Sequence, residues 1–252
     1  MDVLHRLIGV LLLVVLLARL SNWISLHLQG IAYLLSRSQT VAVFFMFLVL
    51  APGIFVHELS HWVVARALGV KTLGFRIWPR RKGKNIELGA VQVQKAGHLS
   101  LALIGMAPFL VGTLALVLLG GWVGGTADGM ADWRRWFTGE GLTQVRAFFR
   151  QGDWPLRFYA LWVIANAMMP SASDREPVQP VAIGLALFAG AAYLVGLVPT
   201  IPPGVFAFLV SLLDVLAAAF LLAVLGDLAV AAGMVAVEYA LAALLGVRVE
   251  YQ

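Results

Sequence analysis

Cysteine is absent from the 252 residues. Neither a disulfide framework nor a thiolate metal site can form, so any metal must be held by His, Asp or Glu. Charge is nearly as scarce: Asp, Glu, Lys and Arg make up 12% of the chain and apolar residues 61%, with a mean hydropathy of +0.90. A soluble domain carries about 25% charged and about 45–50% apolar residues. So few charges cannot cover a water-facing surface, and the solvent for most of this chain is lipid. The net charge is +5, but the basic residues gather in loops. That is the pattern of topology signals and of contact with anionic lipid, not of nucleic-acid binding. No internal repeat or low-complexity tract stands out.

What is present is a series of long apolar runs. A transmembrane helix needs about 20 apolar residues. The first runs from about Val3 to Leu20, and within it Arg6 precedes the apolar stretch Leu7 to Leu17 in the manner of a signal peptide. The Ala18-Arg19-Leu20-Ser21-Asn22 stretch offers no small-x-small cleavage site, so a retained anchor is expected. Asn22 to Ser36 mixes Trp23, Leu26, Ile31, Tyr33 and Leu34 with polar residues and is expected to lie in the interface. Thr40 to Gly69 is the longest run, with Pro52-Gly53 the place for a kink that would admit water. Leu99–Leu119, Trp154–Met169, Val181–Val198, Gly204–Leu225 and Leu228–Leu245 follow, the last two separated only by Gly226-Asp227 and thus possible halves of one broken helix. The expectation is an all-α polytopic membrane protein of about six or seven transmembrane helices. It divides into an N-terminal anchor and interfacial helix (1–39), a core (40–177) and C-terminal transmembrane helices (178–252).

Between the second and third runs, residues 70–98 hold Lys71, Arg76, Arg80, Arg81, Lys82, Lys84 and Lys95 against Glu87 alone. The positive-inside rule places this loop in the cytoplasm, in a plasma or inner membrane. Leu73, Phe75 and Ile77 alternate with Thr72, Gly74 and Arg76, and Val91 and Val93 alternate with Gln92 and Gln94. This period of two predicts a membrane-associated β-hairpin over 72–94, with a bulge at Gly89-Ala90 and a turn over Pro79–Asn85. The nearly charge-balanced segment 120–153, with Trp122, Trp133 and Trp136, belongs on the opposite side and suits an aromatic belt.

The chemistry sits near the end of the longest run, where the sequence reads His57-Glu58-Leu59-Ser60-His61. Residues i and i+4 share one helix face, so two imidazoles can grip one metal ion with Glu58 beside them as a general base. Three ionisable side chains within five residues of an apolar helix are expensive unless they are paired or bind something. A catalytic zinc takes three protein ligands and keeps a fourth position open. His98, Glu87, Asp214, Asp227 and Glu238 are candidates for the third.

A further candidate rests on a likeness. The stretch Asn166-Ala-Met-Met-Pro170-Ser-Ala-Ser-Asp174 resembles the second motif of the site-2 protease family of intramembrane zinc metalloproteases, an Asn-x-x-Pro stretch ending in Asp-Gly. The interval from Asn166 to Asp174 is that of the family. Pro170 falls one place late, and Arg175-Glu176 stand where glycines follow in the family. Asp174 matches the family's third zinc ligand, and Asn166 the residue thought to hold substrate main chain or oxyanion. The family also follows its zinc helix with a β-hairpin and a Gly/Pro-containing span, here Gly105, Pro108 and Gly112. The resemblance covers roughly residues 40–175 and describes a compact member without an inserted PDZ-like or appended CBS-like region.

It implies one Zn²⁺ held by His57, His61 and Asp174, with Glu58 and Asn166 acting on a transmembrane protein substrate at the cytoplasmic side of the bilayer. The hairpin would hold the unwound substrate by strand addition. Two other classes compete. A zinc or ion transporter would use Asp214, Asp227 and Glu238 as intramembrane carboxylates. A catalytically silent scaffold would have no chemical need of Glu58.

Overall fold

The computed structural model describes residues 3–82, 85–124, 143, 146–197 and 202–247, without the side chains of 81, 82, 85–87 and 120–124. Seven helices and four short strands follow in order: α1 (Val3–Ser36), α2 (Gln39–Ala67), β1 (Thr72–Arg76), β2 (Arg80–Lys82), β3 (Asn85–Glu87), β4 (Ala90–Val93), α3 (His98–Gly124), α4 (Trp154–Ala167), α5 (Ala172–Arg175), α6 (Val178–Leu194) and α7 (Pro203–Leu245). The chain is an all-α membrane protein with a small antiparallel sheet region. Among the described residues, five stretches are long and apolar enough to cross a bilayer: Val3–Ser36, Gln39–Ala67, His98–Leu119, Ala172–Leu194 and Pro203–Leu245.

The span count is lower than the sequence suggested, for two reasons. The Trp154 segment forms a helix of only 14 residues, which reaches about 21 Å against the ~30 Å of a hydrocarbon core. The two C-terminal runs form a single unbroken helix of 43 residues. Gly226-Asp227 does not interrupt it, because one glycine in a helix interior costs only about 1 kcal/mol. At ~65 Å, α7 must tilt or protrude beyond the bilayer.

The expected interfacial helix at 22–36 is likewise part of one 34-residue helix, α1. Ile24 and Leu28 pack in the core with Met46, Phe47, Leu50 and Ile54 of α2, and Ser21 is buried. The mixed composition of this stretch reflects contacts between helices.

Those contacts set the helix directions. The Gln29 amide donates to Met46 Sδ at 3.1 Å, and α1 is joined to α2 by a short turn, so the two run antiparallel. Arg6 pairs with Asp214, and His27 Nδ1 lies 2.7 Å from Glu238 Oε2, so α1 and α7 run parallel. Tyr159 donates to the Val49 carbonyl at 2.8 Å and His57 bonds the Ala167 carbonyl, so α4 descends alongside α2. One apolar core joins Leu17 of α1, Leu116 of α3, Ala165 of α4 and Ala217–Phe220 of α7.

Residues 72–93 form a hairpin in two pieces: β1 pairs with β4, and beyond them β2 pairs with β3. Arg80 lies opposite Glu87 and Phe75 opposite Val91. The irregularity predicted at Gly89-Ala90 falls on the other strand, between Thr72 and Gly74. Leu88 and Gly89 instead form the break between β3 and β4. The β2–β3 ladder also extends into the stretch expected to be a turn.

Candidate metal centre

The sequence fixes where His57 and His61 point, and backbone carbonyls fix how they are held. Both lie one turn apart on α2, with Nε2 atoms 3.2 Å apart. His57 Nδ1 lies 2.6 Å from the Ala167 carbonyl and His61 Nδ1 2.7 Å from the Ile104 carbonyl. A carbonyl only accepts, so each Nδ1 carries the proton and each Nε2 presents a lone pair.

Both carbonyls are free for a local reason. Ile104 precedes Pro108 by four residues, and proline has no N–H to close the helical bond that Ile104 would otherwise receive. Ala167 ends α4, where the last carbonyls of any helix lack intrahelical partners.

Asp174 arrives from α5. Its Oδ1 is 3.3 Å from His61 Nε2 and its Oδ2 3.5 Å from His57 Nε2. Ser171 N–H donates to Oδ2 at 2.8 Å and Ser171 Oγ at 2.6 Å, while Asp174 N–H donates back to Ser171 Oγ at 3.3 Å. This capping box holds the carboxylate in one orientation. Gly105 on α3 lets the chain come this close, since a Cβ there would collide with the Asp174 carbonyl. Gly53 is packed in the same way against Val163 and Ala167, and Gly112 against Met168. Gly53, in the Pro52-Gly53 pair expected to kink α2, is thus a seat for α4.

His57, His61 and Asp174 form a group whose ligand atoms all lie within 4.8 Å of one another. Three acceptors facing one point repel each other unless a cation lies between them. The two Nε2 atoms lie 3.2 Å apart, and the two carboxylate oxygens reach one imidazole each at 3.3 and 3.5 Å, close enough for the three residues to hold one metal ion.

Glu58 is buried beside the pair. The hairpin lies directly on it: a Cβ at Gly89 would stand 2.5 Å from Glu58 Oε1 and 2.7 Å from its Cγ. The centre opens into a cavity of about 900 Å³. Its walls include Leu50 and Ile54 of α2, Leu101 of α3, and Ala90, Val91 and Val93 of β4.

The other acids proposed as ligands are placed elsewhere. Asp214 pairs with Arg6, Glu238 with His27 and Asp227 with Asn166. His98 lines the cavity at the start of α3 but is not in the metal-holding group. The side chain of Glu87 lies outside the described residues, as do those of Trp122, Trp133 and Trp136.

Asn166 lines the cavity, yet its amide faces into the bundle. Nδ2 donates to the Trp162 carbonyl at 2.9 Å and to Asp227 Oδ1 at 2.6 Å. Both amide hydrogens are thereby engaged within the bundle. Ser171 and Ile104 were not singled out from sequence, though each left a trace: the Ser-x-x-Asp spacing of a capping box, and a proline four residues after a histidine's partner. Gly89 left none. No family model, curated protein or solved structure matches the chain.

Proposed function

We propose that the chain is a zinc-dependent intramembrane endopeptidase of the site-2 type, hydrolysing a peptide bond in a membrane-protein substrate. The observation that carries this reading is the convergence of His57, His61 and Asp174, whose ligand atoms lie within 4.8 Å of one another, with Glu58 beside them in a cavity walled by a strand. Two His, one carboxylate and an open position make up a hydrolytic zinc set. Zinc, when bound, supplies Lewis acidity and makes hydroxide available near neutral pH.

The chain's own residues do the rest. The Ala167 and Ile104 carbonyls hold the imidazoles, and Ser171 holds Asp174. Glu58 takes a proton from the attacking water and returns it to the leaving amine. Asn166, with its amide hydrogens spent, supports the end of α4 and does not stabilise developing charge.

The substrate is a transmembrane segment, which must be unwound because its carbonyls are bonded internally. Strand β4 pairs with β1 along one edge and lines the cavity, so its other edge suits an extended substrate added as a further strand. The basic loop 70–98 orients this side to the cytoplasm, in a plasma or inner membrane. A transporter would need carboxylates along a pathway, whereas Asp214, Asp227 and Glu238 are each tied to a partner on another helix. The scaffold reading gives no role to a buried Glu58.

The test is the zinc content of purified wild type beside His57→Ala and Asp174→Ala. One zinc per chain, largely lost in both variants, supports the centre. Zinc retained in Asp174→Ala moves the third ligand elsewhere and removes the main support for the family assignment.

A further inference from the structure

Asp227 is the most completely buried charged residue described, at 0% exposure on α7. A carboxylate inside a bilayer is costly, and such residues persist where they do something. Stability does not account for it. Its Oδ1 accepts from Asn166 Nδ2, while Oδ2 has no partner and the nearby Trp162 indole makes no well-aligned bond. A leucine at this buried position would carry no such penalty.

The bond lands at an informative place. Asn166 is the penultimate residue of α4, and the next carbonyl, that of Ala167, holds His57. Helix ends fray because their last carbonyls have no intrahelical partners, and α4 has only 14 residues. This end is pinned from three sides: Ser21 Oγ of α1 donates to the Asn166 carbonyl at 3.1 Å, Asp227 of α7 takes the Asn166 amide, and His57 of α2 bonds Ala167.

We infer that Asp227 is a positioning residue for the metal centre: by clamping Asn166 it fixes the last turn of α4, so that the Ala167 carbonyl keeps the His57 imidazole aimed at the metal. The inference rests on the centre proposed above. It gives α7, which supplies no ligand, a direct mechanical link to the site.

The experiment adds Co²⁺ alone to metal-free full-length protein in detergent and reads the visible d–d spectrum. Zn²⁺ affinity is then measured by competition with a chromophoric chelator. Asp227→Leu is expected to weaken Zn²⁺ about tenfold, the low end of the 10–100-fold seen for outer-shell partners, and to change the Co²⁺ spectrum. Asp227→Asn, which still offers an oxygen to Asn166, restores both. In an Asn166→Ala background Asp227→Leu adds nothing further, because the link is already cut.

Wild-type affinity and spectrum in Asp227→Leu overturn the inference, as does an additive effect in the double variant. Should Asp227→Leu not fold, Asn166→Ala cuts the same link from the other side, and an unchanged spectrum there overturns it equally. Failure of the underlying reading looks different: wild type itself binds no Co²⁺, or binds it equally well as His57→Ala, and the inference falls with it.

Discussion

Replacing Gly89 by alanine is the sharpest perturbation available at this site, because it adds one methyl where the hairpin meets Glu58, the proposed general base. The new Cβ would stand 2.5 Å from Glu58 Oε1, 2.7 Å from Cγ and 2.8 Å from Cδ. Ordinary contact begins at 3.4 Å, so the carboxylate or the hairpin must yield by about 0.9 Å, and a shift near 1 Å at a reacting group can cost on the order of 10²-fold in rate. Glu58 is the softer partner, since its carboxylate ends a flexible side chain while Gly89 is backbone. Folding should suffer little, at most the ~1–3 kcal/mol of an overpacked core. The histidines keep their carbonyl partners, so zinc stays. The assay is cleavage of a transmembrane peptide in proteoliposomes, with zinc measured on the same preparation. The expected result is a loss of about a hundredfold in cleavage at one zinc per chain. Because Glu58→Asp shortens the same side chain, adding Gly89→Ala to it should cost less than it does in wild type. Full activity in Gly89→Ala would refute the contact between hairpin and base. Zinc lost together with activity would mean that Gly89 supports the fold of the site as a whole.

Gly105→Val should displace Asp174, whose carbonyl occupies the space of the new side chain, and lower zinc content without unfolding α3; unchanged zinc would show that α5 adapts. Val91→Pro removes a backbone N–H from β4 and should impair cleavage more than zinc binding, whereas equal loss of both would reduce the hairpin to a structural element. The Arg6–Asp214 and His27–Glu238 pairs tie α1 to α7. Double-mutant cycles in a reversible unfolding assay should give coupling of about 1–2 kcal/mol for each, above the ~0.6 kcal/mol average of intramembrane hydrogen bonds because these are charge-assisted. Chelation should lower the melting temperature of wild type but not of His57→Ala, since a ligand bound only to the folded state stabilises it.

Much of this molecule is written in local patterns. The lipid solvent follows from scarce charge, the hairpin from the alternation around Phe75 and Val91, and the histidine pair from the i,i+4 spacing. Asp174 lies where the Asn/Asp stretch suggested, within 3.5 Å of both imidazoles. What escaped was long-range pairing. Asn22 to Ser36 looked interfacial because its polar residues were counted without their partners on other helices: His27 with Glu238 and Gln29 with Met46. The same holds for α7, where Asp227 looked like a break or a ligand until Asn166 was seen across from it. Hydropathy measures each segment against lipid, whereas these residues are placed by other helices. The 14 residues of α4 were too few to span a bilayer, but they are enough to carry a carbonyl to His57.

The most direct test of the central claim is mass spectrometry of a transmembrane peptide incubated with zinc-loaded wild type and with Glu58→Gln in lipid. The account predicts two products whose new ends lie inside the apolar segment, formed by wild type and abolished in Glu58→Gln although its zinc is retained. An intact peptide with well-folded, zinc-bearing wild type, or cleavage that persists in Glu58→Gln, would contradict it.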